Sequence, residues 1–182
     1  AGVPSDPHFS NQWGLDNDGS FSGDGRPGAD ISALDAWDFT TGRSDVVIAV
    51  ADTGVNMEEP DLANNIWINA DEIPNNGVDD DGNGYVDDRR GWDFIGNDKG
   101  PGDPHGHGTN VAGIIGAEGD NGIGYAGVCW NCKIMPVRCL DEGGTGAYSA
   151  IANSVIYAVD NGADVVNLSL GGTYEDPVLR AA

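Results

Sequence analysis

DVVIAVAD, residues 45–52, is an unbroken apolar and β-branched run that ends in a carboxylate. Without polar alternation, such a run reads as a strand buried on both faces of a parallel sheet rather than a strand with one wet side. KIMPVRCL (133–140) and DVVNLSLGG (164–172) read the same way. Helical patterns stand around them: ISALDAWDFTTG (31–42), GTNVAGIIGAEG (108–119) with Val111, Ile114 and Ile115 on one face, and YSAIANSVIYAVDNG (148–162), stopped by Asn-Gly. This β–α–β alternation predicts an α/β fold, a doubly wound, mostly parallel sheet flanked by helices. Functional residues are then expected at the carboxyl ends of the strands, where Asp52 and residues 169–172 fall.

At 182 residues the chain has the length of one domain with a real core, and 1–182 is read as a single unit. No run of eighteen apolar residues exists, so no helical membrane span and no membrane partner are expected. The opening AGVPSDPHFS has neither a basic nor an apolar leader region and reads as a mature start. Thirty acidic residues against eight basic ones give a formal charge of −22, which repels phosphate backbones and excludes nucleic acid as a partner. The acids gather with Asn and Gly in loops, above all at 75–98, a pattern that points to cations. Residues 69–104 hold no long periodic segment, and a loop of that length needs something other than a core to order it.

Three cysteines cannot all pair within one chain. Cys129 and Cys132 form C-x-x-C, which serves a redox motif, half a zinc site or a short-loop disulfide. No second C-x-x-C or neighbouring His supports zinc. In an oxidising compartment the local pair closes, and Cys139 is left as a buried free thiol.

A histidine opens the helical pattern in PHGHGTNVAGIIGA (104–117), where nothing structural calls for an imidazole. His107 at a helix start and Asp52 at a strand end are together the parts of an oriented general base. AVADTGVNMEEPDL (49–62), HGHGTNVAGIIGA (105–117) and VVNLSLGG (165–172), in that order, resemble the subtilisin-like serine proteases, in particular their thermitase branch. The likeness begins at PSDPHFSNQWGL (4–15) and covers nearly the whole chain. It implies that Asp52 orients His107, that His107 takes the nucleophile's proton, and that Gly108 lets the backbones pack closely. His105 matches no catalytic position of that family.

The resemblance further implies that an extended polypeptide substrate pairs between two edges. One is SLGG, with Ser169, Leu170 and Gly171; the other is GGTGAYS (143–149), with Gly144 and Gly146, while Tyr148 and Ile151 form an apolar pocket. The family's nucleophilic serine lies in a GTSMA-type helix start and its oxyanion Asn in an AAGN-type segment, and neither occurs here. The fold is therefore expected to be incomplete at its C-terminal end and the chain inactive alone, with the remainder of the domain a candidate partner chain. The expected activity is that of a secreted, calcium-dependent serine endopeptidase. The alternative is a non-catalytic calcium-binding or peptide-binding module on the same fold.

DDDGNGYVDD (79–88) offers Asp79, Asp81 and Asn83 at positions 1, 3 and 5 of an EF-hand-type loop, with Gly84 at 6. Position 12 is Arg90, so Asp87 or Asp88 must close the shell, with Tyr85 giving its carbonyl. All-oxygen ligands in an irregular loop select Ca2+. By resemblance, Asp6, Asp61 and Asn121 with the carbonyls of Gly119, Ile123 and Tyr125 form a second calcium site. Asp93 and Asp98 form a third, weaker one, where Gly96 replaces an acid of the family branch.

Overall fold

The computed structural model describes residues 2–20, 25–172 and 176–181. Four strands, β1 (Val47–Asp52), β2 (Trp92–Asp93), β3 (Lys133–Arg138) and β4 (Val165–Asn167), form one sheet in the order β2-β3-β1-β4, all parallel. Helices α1 (Ala33–Trp37), α2 (His107–Gly116), α3 (Tyr148–Asp160) and α4 (Pro177–Ala181) complete the set, with short 3-10 turns at Phe9–Asn11 and Ala63–Asn65.

The period of two along β1 explains why its sequence shows no alternation. Ala49 and Ala51, with Met135 and Val137 of β3, pack in one cluster with Ile151, Tyr157 and Ala158 of α3. Val50 and Ile134 pack on the opposite face with Ala112 of α2 and with Val55, Leu62 and Ile66. Successive side chains point to opposite faces, and each face carries a helix, so every position must be apolar. A third cluster, Phe9, Leu15, Ala33, Trp37 and Ala126, anchors the N-terminal segment, and Trp37 Nε1 donates to the Val128 carbonyl at 2.9 Å.

Two expectations are corrected. The strand expected over 164–172 is hydrogen-bonded only over Val165–Asn167. As an edge strand it is covered on one side alone, and Val165 is 52% exposed, so its apolar run is not secured by burial along its length. The helix expected over 31–42 is limited to Ala33–Trp37, of which Ala33 and Trp37 are buried and Leu34 packs partly against the same cluster. The two-residue strand β2, at the end of the acidic loop, carries no strand pattern of its own. It exists because Trp92 and Asp93 pair with Val137 and Arg138.

Cys129 and Cys132 are joined in a disulfide with Cα atoms 5.6 Å apart, and Cys139 is a buried free thiol that burial pushes up to about 11. Among the described residues no helix is long and apolar enough to cross a membrane.

Candidate active site and cation sites

Asp52 is the last residue of β1 and has no exposed surface. Its carbonyl accepts from the amides of Cys139 and Leu140 at 2.9 and 3.1 Å, which fixes the strand end. His107 is the first residue of α2, whose N-cap Gly106 has φ +93°, a left-handed turn that glycine takes without strain. An added Cβ on the next residue, Gly108, would overlap the Gly54 carbonyl oxygen and lie 3.1 Å from Asp52 Cβ, so the helix start sits directly on the strand end. His107 Nδ1 thereby reaches Asp52 Oδ1 at 2.8 Å, and the same oxygen accepts from the Thr53 amide at 2.7 Å.

With Nδ1–H donating to the carboxylate, the basic lone pair of His107 is on Nε2, and the side chain is 45% exposed. Asp52 Oδ2 is buried without a partner, so a positive imidazolium meets an anion that the protein has left incompletely compensated. The arrangement can take up a proton and hold the resulting charge.

Asp103, absent from the sequence reading, is what caps this helix. Its Oδ1 accepts from the amides of His105 and Gly106 and from Thr53 Oγ1, and its Oδ2 accepts from the Thr109 amide and hydroxyl. Burial raises this carboxyl, but those hydrogen bonds, Thr109's foremost, outweigh burial and hold it below the usual carboxylate range. Thr53 Oγ1 also accepts from the Gly108 amide, tying strand end, loop and helix into one unit. The only sequence signal was an acid a few residues before a helix, which is common.

Of the residues expected on the substrate edges, Gly144 takes φ +73° and faces His105, whose ring lies 6.3 Å from that of His107. Gly146 is pressed on the Cys139 carbonyl. Gly172 approaches the Tyr148 hydroxyl, which brings the 169–172 segment beside the start of α3. Ile151 is buried in the main core, with Leu170 packed against the same cluster, while Ser169 and Gly171 are exposed.

The acidic loop brings together a different set from the one its spacing predicts. One carboxylate oxygen from each of Glu72, Asp81 and Asp88 lies within 4.8 Å of the others. Asn69 Nδ2 bridges Asp81 Oδ2 and Asp88 Oδ1 at 2.9 and 3.0 Å, and Asn83 Nδ2 bridges Asp81 Oδ2 and Asp88 Oδ2 at 3.2 and 3.0 Å. Burial pushes the Asp88 carboxyl up, against hydrogen bonds from Tyr157, Asn83 and Asn69 that lower it. Glu72 is 2% exposed; its Oε1 accepts from the Asp80 amide at 2.8 Å and its Oε2 has no partner. A buried, unpaired carboxylate oxygen beside two more carboxylates is the donor set of a hard cation.

Asp79 stands outside this cluster, because its carboxylate accepts from the amides of Gly82, Asn83 and Gly84. Asp87 is also turned away: it takes Lys99 Nζ at 2.9 Å and the amides of Asn76 and Gly77. These contacts, Lys99's first, hold its carboxyl below the usual range. The Tyr85 ring packs against Trp92, Phe94 and Tyr157. Glu72 was missed because it lies seven residues before the Asp-rich repeat and joins it only through the fold.

Asp6 and Asp61 come together through Asn121. Asp6 accepts from the amides of Asp120 and Asn121, and Asp61 accepts from Asn121 Nδ2 at 2.9 Å and the Tyr125 amide at 2.8 Å. Ile123 donates its amide to Asn121 Oδ1, and Gly119 packs on the Trp130 ring. At the third expected site, Asp93 Oδ2 receives Arg138 Nη1 at 2.8 Å, and its Oδ1 receives the amides of Ile95 and Gly96. Asp98 Oδ1 accepts from the Gly100 amide. A guanidinium already supplies the positive charge there.

Residues 43–180 match the model of the Subtilase family (Peptidase_S8). Thermitase of Thermoactinomyces vulgaris is 37% identical over 181 residues, covering 99% of this chain and 52% of the relative. A thermophilic serine proteinase of Bacillus sp. strain AK1 is 43% identical over 136 residues, covering 75% of this chain and 28% of the relative. A solved protease structure from Pseudoalteromonas arctica PAMC 21717 superposes with a TM-score of 0.70 at 30% identity, over 99% of this chain and 54% of that one. The chain thus spans about half the length, or less, of the relatives it matches.

Proposed function

The chain belongs to the subtilase family, and on that premise we propose that it carries the Asp and His of a secreted serine endopeptidase. The observation that carries the reading is the 2.8 Å contact between His107 Nδ1 and buried Asp52 Oδ1. In this reading His107 Nε2 accepts the proton of a serine hydroxyl as that oxygen attacks the scissile carbonyl, and Asp52 stabilises the imidazolium until the proton passes to the leaving amine. The serine and the oxyanion Asn are supplied by other polypeptide, in the same chain or a separate one, so residues 1–182 alone do not hydrolyse peptides. An extended polypeptide lies between residues 143–146 and 169–172, its side chains sampling the surface near Tyr148, whereas Ile151 supports that surface from the core. Secretion is supported by the Cys129–Cys132 disulfide, which persists in an oxidising compartment.

Calcium is held by Glu72, Asp81 and Asp88, and at a second site by Asp6, Asp61 and the 119–125 loop. When bound, it neutralises carboxylates that otherwise repel one another, and so orders the acidic loop. The test is casein hydrolysis by the intact protein and by its His107→Ala variant, with and without a serine-directed sulfonyl fluoride. Hydrolysis lost in the variant and on labelling supports the reading; a wild type without activity, or activity that survives in His107→Ala, overturns it.

A further inference from the structure

Asp88 belongs to two neighbourhoods at once. One of its oxygens lies in the carboxylate cluster with Glu72 and Asp81, while Oδ2 accepts the Tyr157 hydroxyl at 2.7 Å. Tyr157 is 1% exposed and sits on the core face of α3, where its ring packs edge-on against Tyr85 and Phe94. A second tie runs from Asn83, whose amide bridges Asp81 and Asp88, to Asn161 Oδ1 at 3.1 Å. Asn161 is the C-cap of α3, and its own amide donates to the Tyr157 carbonyl. The other end of the same helix begins at Tyr148 and buries Ile151. It lies beside Gly172 and the 143–146 turn.

We propose that Tyr157 is a positioning residue that links cation binding at Glu72, Asp81 and Asp88 to polypeptide binding at the amino end of α3. The inference rests on the cation and substrate readings above. A cation drawn to Asp88 competes for the lone pairs that the Tyr157 hydroxyl and the Asn83 amide now occupy. The Asn83 amide must also turn to present its oxygen to the cation, which releases Asn161. Helix α3 is a rigid thirteen-residue rod seated on β1 and β3, so a shift in the seating of its last turns is carried to its first. Linkage then requires reciprocity: if calcium changes peptide affinity by some factor, peptide changes calcium affinity by the same factor.

The experiment is calcium titration calorimetry on the intact protein in a His107→Ala background, which removes turnover, with and without a saturating extended peptide. It is repeated with Tyr157→Phe and, independently, with Asn161→Ala. The parent is expected to show a change in calcium affinity of about fivefold or more on adding peptide, within the usual range of coupling. Tyr157→Phe, which removes that competitor for Asp88 Oδ2, should tighten calcium binding and bring the coupling factor below twofold. Asn161→Ala should reduce the coupling in the same direction and stands in if Tyr157→Phe does not fold. Simple destabilisation lowers the melting temperature but leaves the ratio of the two calcium affinities in folded protein unchanged. A parent that binds calcium with no coupling, or variants that retain the full coupling, would overturn the proposal. A parent that binds no calcium at the cluster overturns the cation reading beneath it.

Discussion

Replacing Glu72 with Gln should stabilise the protein in the absence of calcium and shrink the stabilisation that calcium adds. Three carboxylates offer oxygens within 4.8 Å of one another. At an effective dielectric constant of about 20, two unit charges at that separation repel by about 3.5 kcal/mol. Glu72 takes part in two of the three pairs, so its charge contributes up to about 7 kcal/mol of repulsion before the Asn69 and Asn83 amides offset part of it. Without a divalent cation, Glu72→Gln relieves that repulsion and retains an acceptor for the Asp80 amide. With calcium at a thousandfold excess over its dissociation constant, the wild type gains about 4 kcal/mol from ligation, and the variant forfeits much of it. Each kcal/mol corresponds to roughly 2–4 °C in a chain of this size. Thermal melts of both proteins in EDTA and in excess calcium should therefore differ in their calcium response: the variant melts above wild type in EDTA, and calcium raises its melting temperature by clearly less than the roughly 8–16 °C expected of wild type. An equal calcium-induced rise in the two proteins, or coincident curves, would refute the claim that Glu72 belongs to a cation site.

Asp52→Asn should leave the fold intact and, on the proposed function, lower kcat for peptide hydrolysis by the intact protein by about 10⁴, since an amide favours the wrong histidine tautomer; peptide hydrolysis beside a circular dichroism spectrum checks it. Asp103 is held below the usual carboxylate range by its hydrogen bonds, so its contribution is present above the unfolded value of about 3.9 and lost as pH falls through the folded one. Asp103→Asn should lower stability at pH 7 and flatten the fall of melting temperature below about pH 4, where wild type loses this contribution. Cys139, buried and raised to about 11, should not react with a thiol reagent at about pH 8 in the native protein. Unfolding without reductant should expose one thiol, because the Cys129–Cys132 disulfide survives; three thiols would rule that disulfide out.

The sequence by itself determined the layers of the fold and the Asp–His pair of the candidate site. The apolar runs at 45–52 and 133–140 carry their burial locally, since a strand covered on both faces must be apolar at every position, and β1 and β3 lie inside those bounds. Asp52 and His107 were legible because each stands at the end of a well-patterned element, and parallel topology gathers such ends. Where coverage comes from distant segments, the local pattern was silent or misleading. Residues 168–172 have a strand's composition without the partner that would hold them as one, and Trp92–Asp93 form a strand only because β3 accepts them. Charge partners were decided by the tertiary structure alone. Spacing placed Asp79, Asp81, Asn83, Asp87 and Asp88 in one loop, but it could not say which carboxylates would be taken first by backbone amides, by Lys99 or by Arg138. Coulomb attraction and hydrogen bonding depend on distance in space rather than along the chain. That is why Glu72, Asp103 and Tyr157, unremarkable in the sequence, stand at the centres of the carboxylate cluster, the α2 cap and the tie between loop and helix.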